Sequence, residues 1–380
     1  MKTNLFIGHI MQRHQYLFSI LAVLVIMLFI TLPAPTQELK THDEIAGVPD
    51  LKVDAEQLKR TIVTPHMEQK IISGTNILWC STFQLAWNEL GELTGSPIEI
   101  KSRSHMVRIF NKKGASKNDL NEECYVAMAG LKNEGIIDKI REQLKLKFNG
   151  LAVPALLNNA STSQMTWVIY AYLFKELPFK KAFTRFHGEL NFDGDYVDSF
   201  GIRQFQNDEV ELARQVNVLY YKDNDNMIIE LKPEAEEDRI LLAKVSPRDS
   251  LANTVKMVET RIETGEPSQM RHSEDLIIPV LNFDILRRYH ELYNQPIQSA
   301  NEKINGTSIG LAGQSIRFRL DEKGAVLKSE VFIADSLSFR SYIFNKPFLI
   351  MLMRKGAQNP YFVLWVGNSE LLVHSKKNKM

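Results

Sequence analysis

Two apolar runs near the C-terminal end constrain the fold of this chain more than any other feature. They read FLIMLM and YFVLWV, and the polar turn RKGAQNP, with Gly356 and Pro360, joins them. Neither run alternates polar with apolar residues, so each fits a strand that is covered on both faces. We therefore predict that the chain ends in a deeply buried β-hairpin.

Composition indicates a globular protein without a disulfide framework or a basic field. The 380 residues are 44% hydrophobic and 24% charged, with a net charge of +1, so we expect no nucleic-acid partner. The chain has only two cysteines, Cys80 and Cys124, which allow one optional bridge at most. Because there is no CxxC pair and no His cluster at ligand spacing, we expect no metal site and no cofactor.

The N-terminal segment predicts export. The run from Leu17 to Leu32 contains no charged residue, and Lys2 and Arg13 precede it. It is long for a signal-peptide core and short for a membrane span, which needs about 20 residues. Residues 1–36 are therefore either a signal peptide or an N-terminal membrane anchor. In both cases we expect the rest of the chain to lie outside the cytoplasm, either secreted or tethered through residues 17–32.

The remaining chain is predicted to form one main domain. Residues 37–70 are polar, with Pro49 and Pro65 as breaks, and predict a linker or lead-in. The domain is predicted over residues 71–372, followed by a basic, frayed tail over residues 373–380.

Helices and strands are both predicted within this domain. Helical spacing predicts surface helices on a core, in four places: Leu120, Cys124, Met128 and Leu131; Ile137, Ile140, Leu144 and Phe148; DSLANTVKMVETRI; and DILRRYHELY. Strands are predicted in the β-rich runs TWVIYAYLF, VNVLYY, NMIIEL, DLIIPVLNF and SIRFRL. The class is α+β, with several antiparallel or mixed β-sheets, a cluster of surface helices and the buried C-terminal hairpin.

The stretch SIRFRLDEKGAVLKSEVF predicts a second hairpin. Residues 316–320 alternate apolar with charged side chains, a turn follows at Lys323-Gly324, and the alternation resumes beyond it. Antiparallel pairing places Leu327, Ser329 and Val331 on the same face as the apolar residues of the first strand.

Four stretches of the chain resemble the serpin family. FNKPFLIMLMRKGAQNPYFVLWVGN, with LDEKG shortly before it, resembles the C-terminal signature of serpins, in which an acidic strand end, a reactive-centre loop and a buried hairpin follow one another. The other stretches, similar to the family's mid-chain strand pair, its strand ending in an aromatic-Lys turn and its Asn-Ile-Phe-Phe-Ser-Pro segment, are QVNVLYYKDNDNMIIELKPE, WVIYAYLFKELPFKKAF and GTNILWCSTFQL. Together they cover most of residues 71–368 and imply a serpin-like fold.

The resemblance also implies a mechanism and its residues. In the family, a protease cleaves the reactive-centre loop, which then inserts as an extra strand in a central sheet and drags the protease along. The implied loop here is 325–343. Its implied scissile region consists of Leu337, Ser338, Phe339 and Arg340. Its implied hinge consists of Glu322, Gly324, Ala325, Val326, Leu327 and Lys328.

The hinge departs from the pattern of inhibitory serpins, which typically have Thr or Ser, then Glu, then a run of Ala after the Gly. Here Leu327 and Lys328 are large and Val326 is β-branched, whereas insertion into a packed sheet requires small inward-facing residues. We therefore expect the second hairpin to be built in permanently. The protein would then be non-inhibitory and would bind a protein partner or small-molecule ligand. The alternative is an inhibitor of a serine or cysteine protease.

A remote alternative is a serine hydrolase that uses Ser308. The only support is the match of Gly306-Thr-Ser308-Ile-Gly310 to G-x-S-x-G. A nucleophile elbow needs a strand before the serine and a helix after it, but a polar segment precedes Ser308 and a predicted strand follows. We expect that the protein is not an enzyme.

Overall fold

The computed structural model describes residues 49–100, 105–148, 155–159, 165–203, 209–299, 301–302, 304–323 and 340–375, all within one compact unit that extends from His42 to Met380. Its helices are α1 (Thr82–Thr94), α2 (His105–Phe110), α3 (Ile136–Lys147), α4 (Glu209–Ala213) and α5 (Leu251–Thr264). Its strands are β1 (Leu51–Asp54), β2 (Thr61–Thr64), β3 (Asn76–Cys80), β4 (Glu99–Ile100), β5 (Tyr125–Leu131), β6 (Thr166–Glu176), β7 (Thr184–Phe192), β8 (Asp195–Ile202), β9 (Val216–Asp223), β10 (Asn226–Leu231), β11 (Asp238–Lys244), β12 (Ser268–Gln269), β13 (Asp275–Pro279), β14 (Leu281–Arg288), β15 (Ile297–Gln298), β16 (Ser308–Leu320), β17 (Ser341–Ile343), β18 (Phe348–Arg354) and β19 (Phe362–Val366).

The strands form three larger sheets and one short pair. A five-stranded sheet, called the central sheet below, has the order β1-β14-β16-β6-β5. An eight-stranded sheet has the order β12-β9-β10-β11-β18-β19-β3-β2, and a four-stranded sheet has the order β17-β13-β8-β7. The strands β15 and β4 pair separately. The predicted α+β class with several antiparallel and mixed sheets is confirmed.

The predicted C-terminal hairpin lies in the middle of the eight-stranded sheet. Strands β18 and β19 pair antiparallel from Phe348 opposite Val366, and β11 and β3 cover their outer edges. The side chains of β18 alternate between the largest hydrophobic cluster and a second cluster that includes residues of α5. Gly356 in the connecting turn has φ +82°, a conformation that favours glycine. Both faces of the hairpin are buried, and this explains the absence of polar alternation.

Two segments predicted to be loose are part of the folded core. Strand β1 pairs with β14 and strand β2 pairs with β3, so the linker interpretation of residues 37–70 is wrong for these strands. Both lie at sheet edges, where a strand needs few apolar residues. At the other end, Val373 is buried and accepts a hydrogen bond from the Asp198 amide. The frayed tail therefore does not begin at residue 373.

Two of the four predicted helices are strands. The helices predicted around Ile140 and Val258 are confirmed as α3 and α5. Residues 125–131 instead form β5, paired antiparallel with β6, and residues 281–288 form β14, between β1 and β16. Short mixed runs such as these satisfy helical and strand spacing equally well. Hydrogen bonding to neighbouring strands therefore decides their conformation.

Candidate functional site at the seam of the central sheet

The candidate site lies where β6 and β16 run side by side, and we call this place the seam. The two strands are parallel and paired from Thr166 opposite Ser308 to Glu176 opposite Arg319. The other edge of β16 pairs antiparallel with β14 from Gly313 to Leu320. Because a strand has only two hydrogen-bonding edges, both edges of β16 are occupied.

This pairing corrects the expectation of a built-in second hairpin. Residues 325–332 were predicted to return beside residues 316–320, but β6 and β14 hold both of those positions. The alternating pattern of β16 identified a strand correctly and its partner wrongly, because both true partners are distant in sequence. The central sheet is closed, with no strand inserted at the seam.

Side-chain hydrogen bonds cross the seam near its beginning and in its middle. The indole Nε1 of Trp167 donates to Thr307 Oγ1 at 2.9 Å. The hydroxyl of Tyr170 donates to Ser315 Oγ at 3.3 Å, and Tyr170 is fully buried. Burial raises the pKa of Tyr170 well above its ordinary value, so the phenol remains a donor.

An ion pair closes the far end of the seam. Arg319 Nη1 lies 3.5 Å from Glu176 Oε1, while its Nη2 lies 2.6 Å from Asp321. Just beyond Asp321, two backbone hydrogen bonds join the chain to the segment after β6. The Phe179 amide donates to the Lys323 carbonyl, and the Phe183 amide donates to the Glu322 carbonyl. The end of β16 is therefore fixed to the segment that follows β6.

A buried polar cluster fixes β16 to the body of the protein from the other side. Gln314 is fully buried and donates through Nε2 to Thr82 Oγ1 at 2.8 Å and to the Cys80 carbonyl at 3.2 Å. Its Oε1 accepts from the Tyr289 hydroxyl at 3.0 Å. Thr82 is the first residue of α1, which packs against β5 and β6. The sequence analysis missed this cluster, although Gln314 is a polar residue within an apolar run.

A second buried cluster joins the central sheet to the eight-stranded sheet. Lys175 Nζ in β6 lies 2.6 Å from Asp238 Oδ2 in β11, and both side chains are almost completely buried. The Tyr361 hydroxyl donates to the other carboxylate oxygen at 2.9 Å. Burial and the nearby Asp238 raise the pKa of Tyr361. Lys175 belongs to the predicted aromatic-Lys turn, but its partners are visible only in the structure.

Of the implied hinge, only Glu322 lies within the described residues. Its carboxylate accepts from Arg185 Nη1 at 2.8 Å, and Arg185 Nη2 donates to Asp198 at 2.9 Å. Burial opposes the ionised Asp198, but hydrogen bonds from Arg185 and His187 outweigh it and hold the Asp198 pKa below its ordinary value. The remaining hinge residues fall outside the described residues, and they are Gly324, Ala325, Val326, Leu327 and Lys328.

Arg340, predicted as part of the scissile region, is held in a fixed contact. Its Nε donates to Glu274 Oε1 at 2.8 Å, and its guanidinium lies over the rings of Tyr221 and Tyr342. The Glu274 carboxylate is buried and also accepts from the Tyr342 hydroxyl at 3.2 Å. Arg340 is therefore anchored to Glu274 and to two tyrosine rings. Leu337, Ser338 and Phe339 lie outside the described residues.

The structure also shows the surroundings of the serine and the two cysteines that the sequence singled out. Ser308 is the first residue of the long strand β16, so its G-x-S-x-G match does not form the strand-turn-helix of a nucleophile elbow. Cys80 and Cys124 are both free thiols, and burial raises the pKa of Cys80 to about 11.

Two further findings concern metals and membranes. Among the described residues, no three His, Cys, Asp or Glu side chains come together as a potential metal site. No helix in the same part of the chain is long and apolar enough to cross a membrane. The run from Leu17 to Leu32 lies outside it.

Comparisons with known proteins give a distant likeness of fold. No protein-family model matches the chain, and no curated protein matches it. Among solved structures, the serine protease inhibitor (serpin)-12 of Manduca sexta aligns with a TM-score of 0.49 and 14% sequence identity. The alignment covers 79% of this chain and 94% of that chain. A likeness at this level says nothing about activity.

Proposed function

We propose that this chain is a serpin-like protein that acts outside the cytoplasm by binding a partner or ligand while its central sheet stays closed. The observation that carries the proposal is the bridged seam. Trp167, Tyr170 and Glu176 of β6 each bind a side chain on, or directly before, β16. An inserted strand would have to break all three contacts together with the backbone ladder between the strands.

The sequence of the implied hinge supports the same conclusion. Leu327 has one of the side chains that would enter the packed sheet, and Lys328 is long and charged. Overpacking a core costs about 1–3 kcal/mol per site. The cost of opening the seam and the poor fit of the hinge therefore act in the same direction, against insertion.

A gel assay tests this proposal. The protein is incubated with a trypsin-like and a chymotrypsin-like serine protease and with a papain-like cysteine protease, and the products are separated by denaturing electrophoresis. We expect cleaved chain and free protease, with no covalent adduct. An adduct that survives denaturation with any of the three would refute the non-inhibitory proposal.

The second candidate is a protease inhibitor with the loop 325–343. It is favoured by the parallel pairing of β6 and β16, since a strand inserted between them would find a hydrogen-bonding edge on each side. A trapping mechanism predicts a stable adduct with one protease class in the same gel. The bond whose cleavage accompanies that adduct would then identify the scissile residue.

A further inference from the structure

A cavity of about 810 Å³ opens at one end of the eight-stranded sheet. The start of β9, the end of β10 and the start of β11 meet there, and Lys180 and Lys181, which follow β6, form part of the wall. Small-molecule sites in proteins usually have volumes of ~300–1,000 Å³. This cavity is therefore large enough for a ligand of the size of a nucleotide or a disaccharide.

Positive charge predominates among the side chains that line the cavity. The six cationic residues in its wall are Lys180, Lys181, Arg214, Lys232, Arg239 and Lys355. The four acidic residues in the wall are Glu211, Glu230, Glu236 and Asp238. An excess of cations around one concave surface concentrates positive potential there and attracts anions.

Each acidic side chain of the wall already forms an ion pair with a lysine or an arginine. Asp238 is bound by Lys175, which lies outside the cavity, and Glu230 accepts from Arg239 at 2.6 Å. Glu211 and Glu236 each bind one of the two lysines that follow β6, at 2.6 Å and 2.9 Å. Among the described residues, these carboxylates therefore form no ion pair with Arg214, Lys232 or Lys355.

Two of the wall cations, Arg214 and Lys232, have no carboxylate partner among the described residues. Lys355 forms no ion pair in the same part of the chain, but it interacts electrostatically with Glu236 and helps to lower the pKa of that carboxyl. Lys232 Nζ donates only to neutral oxygens, those of the Arg214 carbonyl at 3.1 Å and of Gln269 at 3.5 Å. Arg214 and Lys355 are exposed at the rim. Like charges that face one cavity repel one another unless an anion lies between them.

We propose that this cavity, the cationic cavity below, binds a small polyanion that carries phosphate or sulfate groups. A guanidinium supplies a planar fork of donors for such a group, and the lysines supply point charges. The proposal deepens the binding role proposed above and rests on it.

The cationic cavity is connected to the end of the seam. Gln215 in its wall exchanges two hydrogen bonds with the backbone of Lys181, both at 2.9 Å. Two residues further on, the Phe183 amide donates to the Glu322 carbonyl at the end of β16. The wall of the cationic cavity is therefore joined by hydrogen bonds to the segment that fixes β16.

The test uses isothermal titration calorimetry on the full chain, with inositol hexakisphosphate and sucrose octasulfate as the two probes and sucrose as the uncharged control. Salt is kept at about 150 mM, where the Debye length is ~8 Å, to suppress long-range attraction. We expect one site per chain for at least one polyanion and no binding of sucrose. The preferred probe identifies the anionic group as phosphate or sulfate.

Two charge-matched variants decide whether the cavity is the site. The first carries Arg214→Gln, Lys232→Gln and Lys355→Gln. The second carries three substitutions at exposed lysines on α3 and α5, namely Lys139→Gln, Lys145→Gln and Lys256→Gln. We expect the first variant to weaken binding about tenfold or more, which corresponds to ~1.4 kcal/mol or more. We expect the second variant to bind like the unaltered chain.

Circular dichroism checks that both variants fold. If the triple cavity variant does not fold, Arg214→Gln alone provides the comparison, since that side chain is exposed. Absence of binding by both polyanions, or equal weakening in the two triple variants, would overturn the proposal. The protease assay does not involve these residues, so a trapped protease and an empty cavity are separate outcomes.

Discussion

Replacing Gln314 with leucine tests the buried cluster that holds β16 in place. Gln314→Leu keeps the side-chain volume but removes two donated hydrogen bonds and leaves the Tyr289 hydroxyl buried without its acceptor. Two lost hydrogen bonds at ~1 kcal/mol each and one orphaned hydroxyl at ~1–3 kcal/mol give an expected loss of about 3–5 kcal/mol in the free energy of unfolding. Urea denaturation followed by tryptophan fluorescence measures this loss.

A double-mutant cycle with Tyr289→Phe separates the cluster from general disruption of the core. The tyrosine variant removes the hydroxyl that Gln314→Leu would orphan, so the double variant should be more stable than the sum of the single changes predicts, by about 1–2 kcal/mol. Hydrogen exchange measured by mass spectrometry should also show faster exchange in β6 and β16 of Gln314→Leu. A change in stability below ~0.5 kcal/mol, or strictly additive effects, would refute the reasoning, because such small values are usual for surface sites.

Three further predictions concern the anchor, the acid limb of stability and the thiols. Arg340→Ala deprives the buried Glu274 carboxylate of its guanidinium and should cost about 2–4 kcal/mol in urea denaturation, with partial recovery in Arg340→Lys; an unchanged midpoint would contradict the anchor. The Asp198 pKa is lowered in the folded state, so its stabilisation is present above about pH 4 and is lost as the pH falls through that lowered pKa. Asp198→Asn should therefore flatten the stability profile below that pH, and a profile parallel to that of the unaltered chain would contradict it. Cys80, with its pKa raised to about 11, should react with a thiol reagent only after unfolding, and rapid labelling of the native chain at Cys80 would show that it is accessible.

Sequence patterns predicted the strands that are buried on both faces and the helices whose apolar residues recur at regular spacing. The apolar runs of β18 and β19 predicted a hairpin covered on both faces, and the spacing of Ile140 and Leu144 predicted α3. The patterns failed where neighbours in space decide the conformation. Residues 125–131 satisfy helical spacing, yet they form β5 because β6 offers a complete set of backbone partners.

The sequence predicted one strand of the seam but not how that strand is paired. The alternation of Ile316, Phe318 and Leu320 predicted a strand, whereas both of its true partners, β6 and β14, are distant in sequence. Residue pairs such as Tyr170 and Ser315 are far apart in sequence and carry no local signal of their contact. The same applies to Glu274, whose burial beneath Arg340 depends on β13 and β17 lying side by side.

The melting temperature of the chain before and after a single cut within residues 324–339 tests the central claim most directly. A seam that stays closed predicts that the cut changes the melting temperature by no more than about 3 °C, whereas a loop that inserts after cleavage predicts a large rise. For 380 residues, at about 2.1 cal/mol/K per residue, a rise of ~10 °C corresponds to roughly 8 kcal/mol. A shift of that size would contradict the account, and an almost unchanged melting temperature is the result it predicts.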